Sequence, residues 1–215
     1  MANKAILAGA SGLIGSALLE ILLQQSDYNE VLVLVRKKLP FHHPKLTQLE
    51  VNFDELGKYS SQISGHALFC CLGSTRKKTP KLDDYAKVDF DYPLQLAEMA
   101  LANGMEQYHL VSALGANKDS ANFYSKMKGE TEDAIKLVGL PCLHIYQPSL
   151  LIGDRKEKRV GEKAFIIIMN FINPLLIGKL KKYRSIAAKT VAMTMFKNSL
   201  KTEKGIFIYP SDKII

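Results

Sequence analysis

Lys4-Ala5-Ile6-Leu7-Ala8-Gly9-Ala10-Ser11-Gly12-Leu13-Ile14-Gly15-Ser16-Ala17-Leu18-Leu19-Glu20-Ile21-Leu22-Leu23 opens the chain and decides its reading. A short apolar run ends at Gly9, glycines recur at 9, 12 and 15, and a helical pattern follows at once. That order spells a strand, a tight turn and a helix whose leading N–H groups face whatever fills the turn. Gly9 permits the sharp turn, Gly12 lets a pyrophosphate approach the backbone, and Gly15 lets helix and strand pack closely. A glycine triplet alone is a weak signal. Placed between a strand and an amphipathic helix, it predicts a dinucleotide site.

Strand and helix signals alternate outward from this unit. Glu30 to Val35 is a near-continuous apolar run, as expected of a strand buried on both faces. Leu46 to Phe53, Gly65 to Leu72, Gln107 to Ser112 and Cys142 to Tyr146 read as further strands. Tyr85 to Asn103 and Asn122 to Leu137 read as helices, the first ended by Gly104. Beyond Pro148 come a basic loop (154–163), an apolar helix (164–178), a helix over 186–198 and a last strand over 205–209. The pattern predicts an α/β fold: a doubly wound, mainly parallel sheet with right-handed crossovers and helices on both faces. We expect one domain over residues 1–215, with about residues 150–205 shaping the substrate side. Ligands in such sheets lie beyond the carboxyl ends of the strands, at the switch point.

The 215 residues carry a formal net charge of +8. Nucleic acid, an anionic membrane surface or a multiply charged phosphate cofactor would each suit that balance. The cations are spread out, in modest clusters at Arg36-Lys37-Lys38, Arg76-Lys77-Lys78 and Lys179 to Lys182. With no basic helix interleaved with aromatics, nucleic-acid binding is not expected. Cys70, Cys71 and Cys142 offer neither a disulfide framework nor metal spacing, and read as small buried hydrophobes in a reducing, cytoplasmic compartment. The glycine turn interrupts the opening apolar run too early for a signal peptide. Asn170, Asn173 and Pro174 interrupt the 164–178 run, which falls below the roughly 18 residues of a membrane span, so no transmembrane segment is expected.

Two places carry chemistry. An NAD site puts an acid at the end of the second strand to bond the ribose hydroxyls. Here that position reads Val35-Arg36-Lys37-Lys38, so cations stand where the acid would be. Arginine pairs with a 2'-phosphate and stacks on adenine, which points to NADP(H), with Arg36 first and Lys37 second; a solvated basic loop is the plainer alternative. The second place is Tyr124-Ser125-Lys126-Met127-Lys128. Tyr and Lys four apart share a helix face, and a nearby ammonium favours a phenolate. Such a pair can move a proton at a substrate oxygen while hydride travels to or from nicotinamide. Ser112, closing the fifth strand, could bond the same oxygen or merely fill a strand end.

The glycine turn with Tyr124 and Lys128 resembles the short-chain dehydrogenase/reductase superfamily. Cys70 to Arg76, Val88 to Tyr92, Ser112 to Lys118 and Gln147 to Arg155 are similar to its atypical, Tat-interacting oxidoreductase-like group. The likeness runs from residue 4 to about 200. It implies that Gly9, Ser11, Gly12, Leu13 and Ile14 hold the pyrophosphate, and Arg36 and Lys37 the 2'-phosphate. It implies further that Asn52 and Phe53 flank the adenine, and that Cys71, Leu72 and Gly73 line the cofactor. Tyr124 and Lys128 would be the catalytic pair, Lys128 also bonding the nicotinamide ribose, and Pro148 would close over the nicotinamide. Two departures stand out. The group's paired serines become Ser112-Ala113, and the asparagine of many superfamily members is replaced by Asp89.

The expected function is NADP(H)-dependent hydride transfer with a small carbonyl or alcohol, by a monomer or homodimer. The alternative is an NADPH-sensing regulator with little turnover, since the group includes regulators. His42 and His43 read as solvent-exposed. His66, His109 and His144 read as strand edges or starts, and no metal is assigned. Arg76 could reach an anionic ligand, and the 164–178 helix with Tyr183 could wall the substrate side.

Overall fold

The computed structural model describes residues 3–74, 79–153 and 173–215. Strands β1 (Lys4–Ala8), β2 (Glu30–Val35), β3 (Leu46–Glu50), β4 (Ala67–Cys70), β5 (Gln107–Val111), β6 (Cys142–Gln147) and β9 (Gly205–Pro210) form one sheet. Its order is β3-β2-β1-β4-β5-β6-β9 and every neighbouring pair is parallel. The sequence reading of a doubly wound parallel sheet is therefore correct. A second, two-stranded sheet pairs β7 (Leu151–Ile152) with β8 (Ile186–Ala187).

Alternation along the strands splits the core in two. Ala5, Leu7, Val31, Val33 and Phe69 face helix α1 (Leu13–Gln24) and helix α5 (Ala188–Ser199), where Leu18, Leu22, Val191 and Met195 meet them. Ile6, Ala8, Leu32, Leu34 and Leu68 face the other way. They pack with Leu96 and Ala100 of α3 (Tyr92–Ala102) and Ile135 of α4 (Phe123–Leu137). A run of β-branched and leucine residues such as Glu-Val-Leu-Val-Leu-Val suits a strand covered on both sides.

Several boundaries differ from the sequence reading. β3 stops at Glu50 instead of Phe53, because the Asn52 side chain accepts from Asp54 N (3.2 Å) and starts a 3₁₀ stretch over Phe53–Gln62. The 65–72 strand shortens to β4. The helix expected to start at Tyr85 starts earlier, at α2 (Leu82–Ala86), and passes through a wide π turn, Lys87–Asp91, into α3. Pro93 lies near the start of α3 and has no N–H to return to the Asp89 carbonyl four residues back. Thr131 Oγ1 of α4 donates to that carbonyl instead, at 2.9 Å. A helix break thus becomes a tie that sets Asp89 against α4. The helix expected over 186–198 begins at Ala188, since Ile186 and Ala187 pair with Leu151 and Ile152. Of the apolar helix expected over 164–178, residues 164–172 lie outside the described residues, and Asn173–Leu175 and Gly178–Tyr183 are 3₁₀ turns. The 154–163 loop also lies outside them.

His109 and His144 are not at edges but buried in the sheet, in a cross-strand ring ladder. Phe69, His109, His144 and Phe207 are register neighbours, with ring centroids 4.6, 4.5 and 5.1 Å apart. His109 Nε2 donates to Gln107 Oε1 (3.0 Å), while Tyr146 OH, fed by Asn198 Nδ2 (3.1 Å), donates to His109 Nδ1 (3.1 Å). Burial holds both imidazoles neutral, pushing His109 well below its ordinary pKa and His144 down to about 4. The unfolded chain takes up protons below about pH 6.5 while the folded chain resists until about pH 4, so stability falls across that window as pH drops. Urea midpoints measured from pH 7 to pH 4 should show this fall, and His144→Gln should make it shallower, with His109 supplying the remainder.

Candidate cofactor and active site

The first turn has no room for side chains. Gly9 has φ +88°, and a Cβ there would stand 2.4 Å from the Cys71 carbonyl oxygen at the end of β4. A Cβ on Gly15 would stand 2.2 Å from Gly9 O, so α1 rests directly on the turn. The turn is closed by Gly12 N donating to Gly9 O at 3.0 Å. Gly12 caps α1 without a side-chain hydrogen bond, and no acid occupies the first helical turn. The positive end of a 12-residue helix is thus offered to an outside anion. Gly9, Ser11, Gly12, Leu13 and Ile14 all belong to this cradle, with Ser11 and Gly12 exposed. The residues present fit a pyrophosphate.

Beyond the carboxyl ends of β2 and β3 lies an open cavity of about 720 Å³. Arg36, Asn52, Phe53, Tyr59, Lys87 and Tyr92 are among its walls, so Arg36 is brought to the two residues expected beside adenine. Lys37 is exposed and is not part of this lining. Three acids share the lining, Glu50, Asp54 and Asp84, and Asp54 is held by Lys87 Nζ and Tyr92 OH, both at 2.9 Å. Lys87 lowers the Asp54 pKa, with Tyr92 adding to the effect.

Helix α4 carries the remaining machinery. Asn122 accepts from Ser125 N (3.1 Å) and starts the helix just before Tyr124. A Cβ on Gly129 would strike the Asn117–Lys118 backbone at 2.2 Å, so this glycine lets the loop after β5 lie against the helix. Tyr124 is 42% exposed, whereas Lys128 one turn on is buried. Lys128 Nζ lies 2.8 Å from Asp89 Oδ1, and Asp89 Oδ2 accepts from Ser74 N at 2.8 Å. Burial alone would pull the Lys128 pKa down; the Asp89 carboxylate beside it outweighs that and raises the pKa.

Ser112 departs from the simple expectation. Its hydroxyl is buried and donates to Glu132 Oε1 at 2.5 Å. Gln147 Nε2 donates to both Glu132 oxygens, at 2.9 and 3.0 Å. Cys71 and Leu72 are half-buried and Gly73 exposed, just past β4. Cys71 N donates to Ala8 O (2.9 Å), which brings this segment beside the glycine turn. Pro148 is buried, its carbonyl accepting from Leu114 N at 2.9 Å. Arg76 lies outside the described residues. Sequence reasoning missed Glu132, although its spacing of four from Lys128 and eight from Tyr124 marks one helix face. It noted Asp89 only as a departure and did not pair it with Lys128.

A family model described as NAD(P)H-binding matches residues 9–163. The chain belongs to this NAD(P)H-binding family. Its oxidoreductase-like fold is of the short-chain dehydrogenase/reductase type, as the sequence resemblance implies. It is 38% identical over 167 residues to Protein HTATIP2 of Rattus norvegicus, covering 75% of this chain and 69% of that protein. It is 30% identical to Protein fmp52, mitochondrial, of Aspergillus clavatus, covering 100% of this chain and 94% of that protein. The solved structure of Bordetella bronchiseptica enzyme WbmH in complex with NAD+ superposes with a TM-score of 0.74 at 15% identity, covering 98% of this chain and 76% of that one. That likeness shows the fold. Fungal relatives bearing the name mitochondrial overturn the expectation of a purely cytoplasmic protein; cysteine usage alone does not distinguish compartments. No helix among the described residues is long and apolar enough to cross a membrane.

Proposed function

We propose that this family member is an NADP(H)-dependent oxidoreductase acting on a small carbonyl or alcohol. The observation that carries the reading is the meeting of Arg36, Asn52 and Phe53 in one cavity at the ends of β2 and β3. At the neighbouring strand β1, the α1 N-terminus stands uncapped. The α1 backbone would hold the pyrophosphate, and Arg36 would clamp the 2'-phosphate that an acid at its place would repel. Lys37, outside the cavity wall, adds long-range attraction. Cys71, Leu72, Gly73 and Pro148 would flank the nicotinamide end. The cofactor supplies or accepts the hydride; the chain's own residues handle the proton.

Tyr124 would give or take that proton at the substrate oxygen, and the Lys128 ammonium would stabilise the phenolate and bond the ribose. Ser112 gives its own proton to Glu132, so it meets a substrate as an acceptor and orients a hydroxyl rather than polarising a carbonyl. This commitment of Ser112, with the Lys128 charge already answered by Asp89, is what favours a second reading: an NADPH-occupied sensor with little turnover.

Cofactor titration followed by fluorescence tests the first step. Arg36→Ala should weaken NADPH by about 10–100-fold, as loss of one charge-assisted phosphate contact implies, and leave NADH nearly unchanged. Equal affinity of the native protein for NADPH and NADH would refute phosphate selection by Arg36.

A further inference from the structure

The 3₁₀ turn Gly178–Tyr183 carries an unusual surface. Leu180 N donates to Ile177 O (3.0 Å) and Arg184 N to Lys181 O (3.0 Å), the three-residue repeat of a 3₁₀ helix. Side chains three apart eclipse in that geometry, so Leu180 and Tyr183 share one edge, and with Ile177, the cap just before the turn, they make an apolar ridge. All three face solvent, 67%, 51% and 50% exposed. Isolated exposed apolar residues need no explanation, but three large ones on a single short turn and its cap do.

Hydrogen bonds tie the ridge to its neighbours. Arg184 Nε donates to Leu176 O (2.8 Å), Ser185 N to Asn173 Oδ1 (3.0 Å), and Ser149 Oγ to Arg184 O. Cations flank it: Lys181 is exposed, and Lys182 Nζ lies 5.2 Å from the Tyr183 ring centroid. From Ile177 to Ser185 the sequence holds four Lys or Arg and no acid. Beside the ridge, Lys181 and Arg184 help line a shallow cavity of about 240 Å³ with Ser185, Ser211 and Asp212.

We propose that this ridge docks the protein on an anionic lipid bilayer. Ile177 and Leu180 would enter the acyl boundary, and Tyr183, with an apolar ring and polar tip, would sit at headgroup depth. Lys181, Lys182 and Arg184 would meet lipid phosphates. A basic surface lacking apolar contacts suits nucleic acid, and an apolar one lacking charge suits a second copy of the chain; the combination suits a charged membrane surface. The proposal is independent of the redox reading.

Flotation with phosphatidylcholine vesicles, with and without added phosphatidylglycerol, tests it. The protein should float with the anionic vesicles only, and added salt should release it. Lys181→Glu/Lys182→Glu should weaken binding by more than about tenfold. Lys201→Glu/Lys204→Glu, of equal net charge change away from the ridge, should weaken it far less. Leu180→Glu should also lose binding while melting at the native temperature. The proposal is overturned by no flotation, by equal flotation on neutral vesicles, or by equal losses in the two charge-reversed pairs. Retention on DNA or self-association without flotation overturns it too.

Discussion

Asp89→Ala is expected to destabilise the fold by about 3–5 kcal/mol, the cost of leaving one member of a buried ion pair alone. Lys128 and Asp89 are both buried, and their charged atoms lie 2.8 Å apart. The two effects on Lys128 oppose each other: burial disfavours the ammonium, and the facing Asp89 carboxylate more than offsets it. Because the folded pKa is raised, the native pair contributes fully below the ordinary lysine pKa and is lost only as pH rises through the folded value. Alanine removes the main attraction and leaves desolvation in command, so the folded pKa drops below the unfolded one. Stability of the variant should then rise from pH 7 to pH 10, where the native protein gains nothing. Urea unfolding at both pH values reads this slope. Asp89→Asn keeps an acceptor for Ser74 N and should lose less. A loss under about 1 kcal/mol with no pH slope would mean that Lys128 does not depend on Asp89.

That pair also shows where sequence legibility ends. The parallel sheet was readable because apolar runs, glycine spacing and helix periodicity are local signals with one physical reading each. Gly9 and Gly15 announced themselves, and the contacts a Cβ would make there are with backbone, which cannot yield. The position of Arg36 was readable for a similar reason: it follows β2 directly and lines the cavity there with Asn52 and Phe53. Asp89 was visible only as a substitution. Its pairing with Lys128 depends on Pro93 freeing a carbonyl and on Thr131 taking it, a contact across 42 residues that no periodicity records. Ser112 misled differently. Its position at the strand end is correct, but the direction of its proton is set by Glu132, twenty residues later. His109 and His144 looked like edge residues because a histidine inside a strand usually needs water. Here Tyr146, Gln107, Cys142 and Tyr209 replace water, and those partners come from three strands.

Tyr124→Phe is expected to lower NADPH-dependent reduction by at least about 100-fold, the lower range for loss of a positioned acid. The substitution removes one oxygen from a side chain that is 42% exposed, so folding and NADPH affinity should stay near native. Loss of turnover with retained cofactor binding therefore isolates the proton step from the binding step. The measurement is NADPH oxidation against a panel of aldehydes, ketones and quinones, alongside a fluorescence titration of the cofactor. Lys128→Met gives the contrasting pattern. It removes the charge that favours the phenolate and leaves Asp89 buried without its cation, so activity and stability should fall together. Glu132→Gln asks a third question, because an amide nitrogen can donate to Ser112 and release the serine proton toward a substrate. If turnover rises in that variant, Ser112 was held back by Glu132, which is the arrangement a sensor would keep. Equal residual turnover in the native protein and Tyr124→Phe, with NADPH still bound, removes the tyrosine from the chemistry and leaves the sensor reading standing.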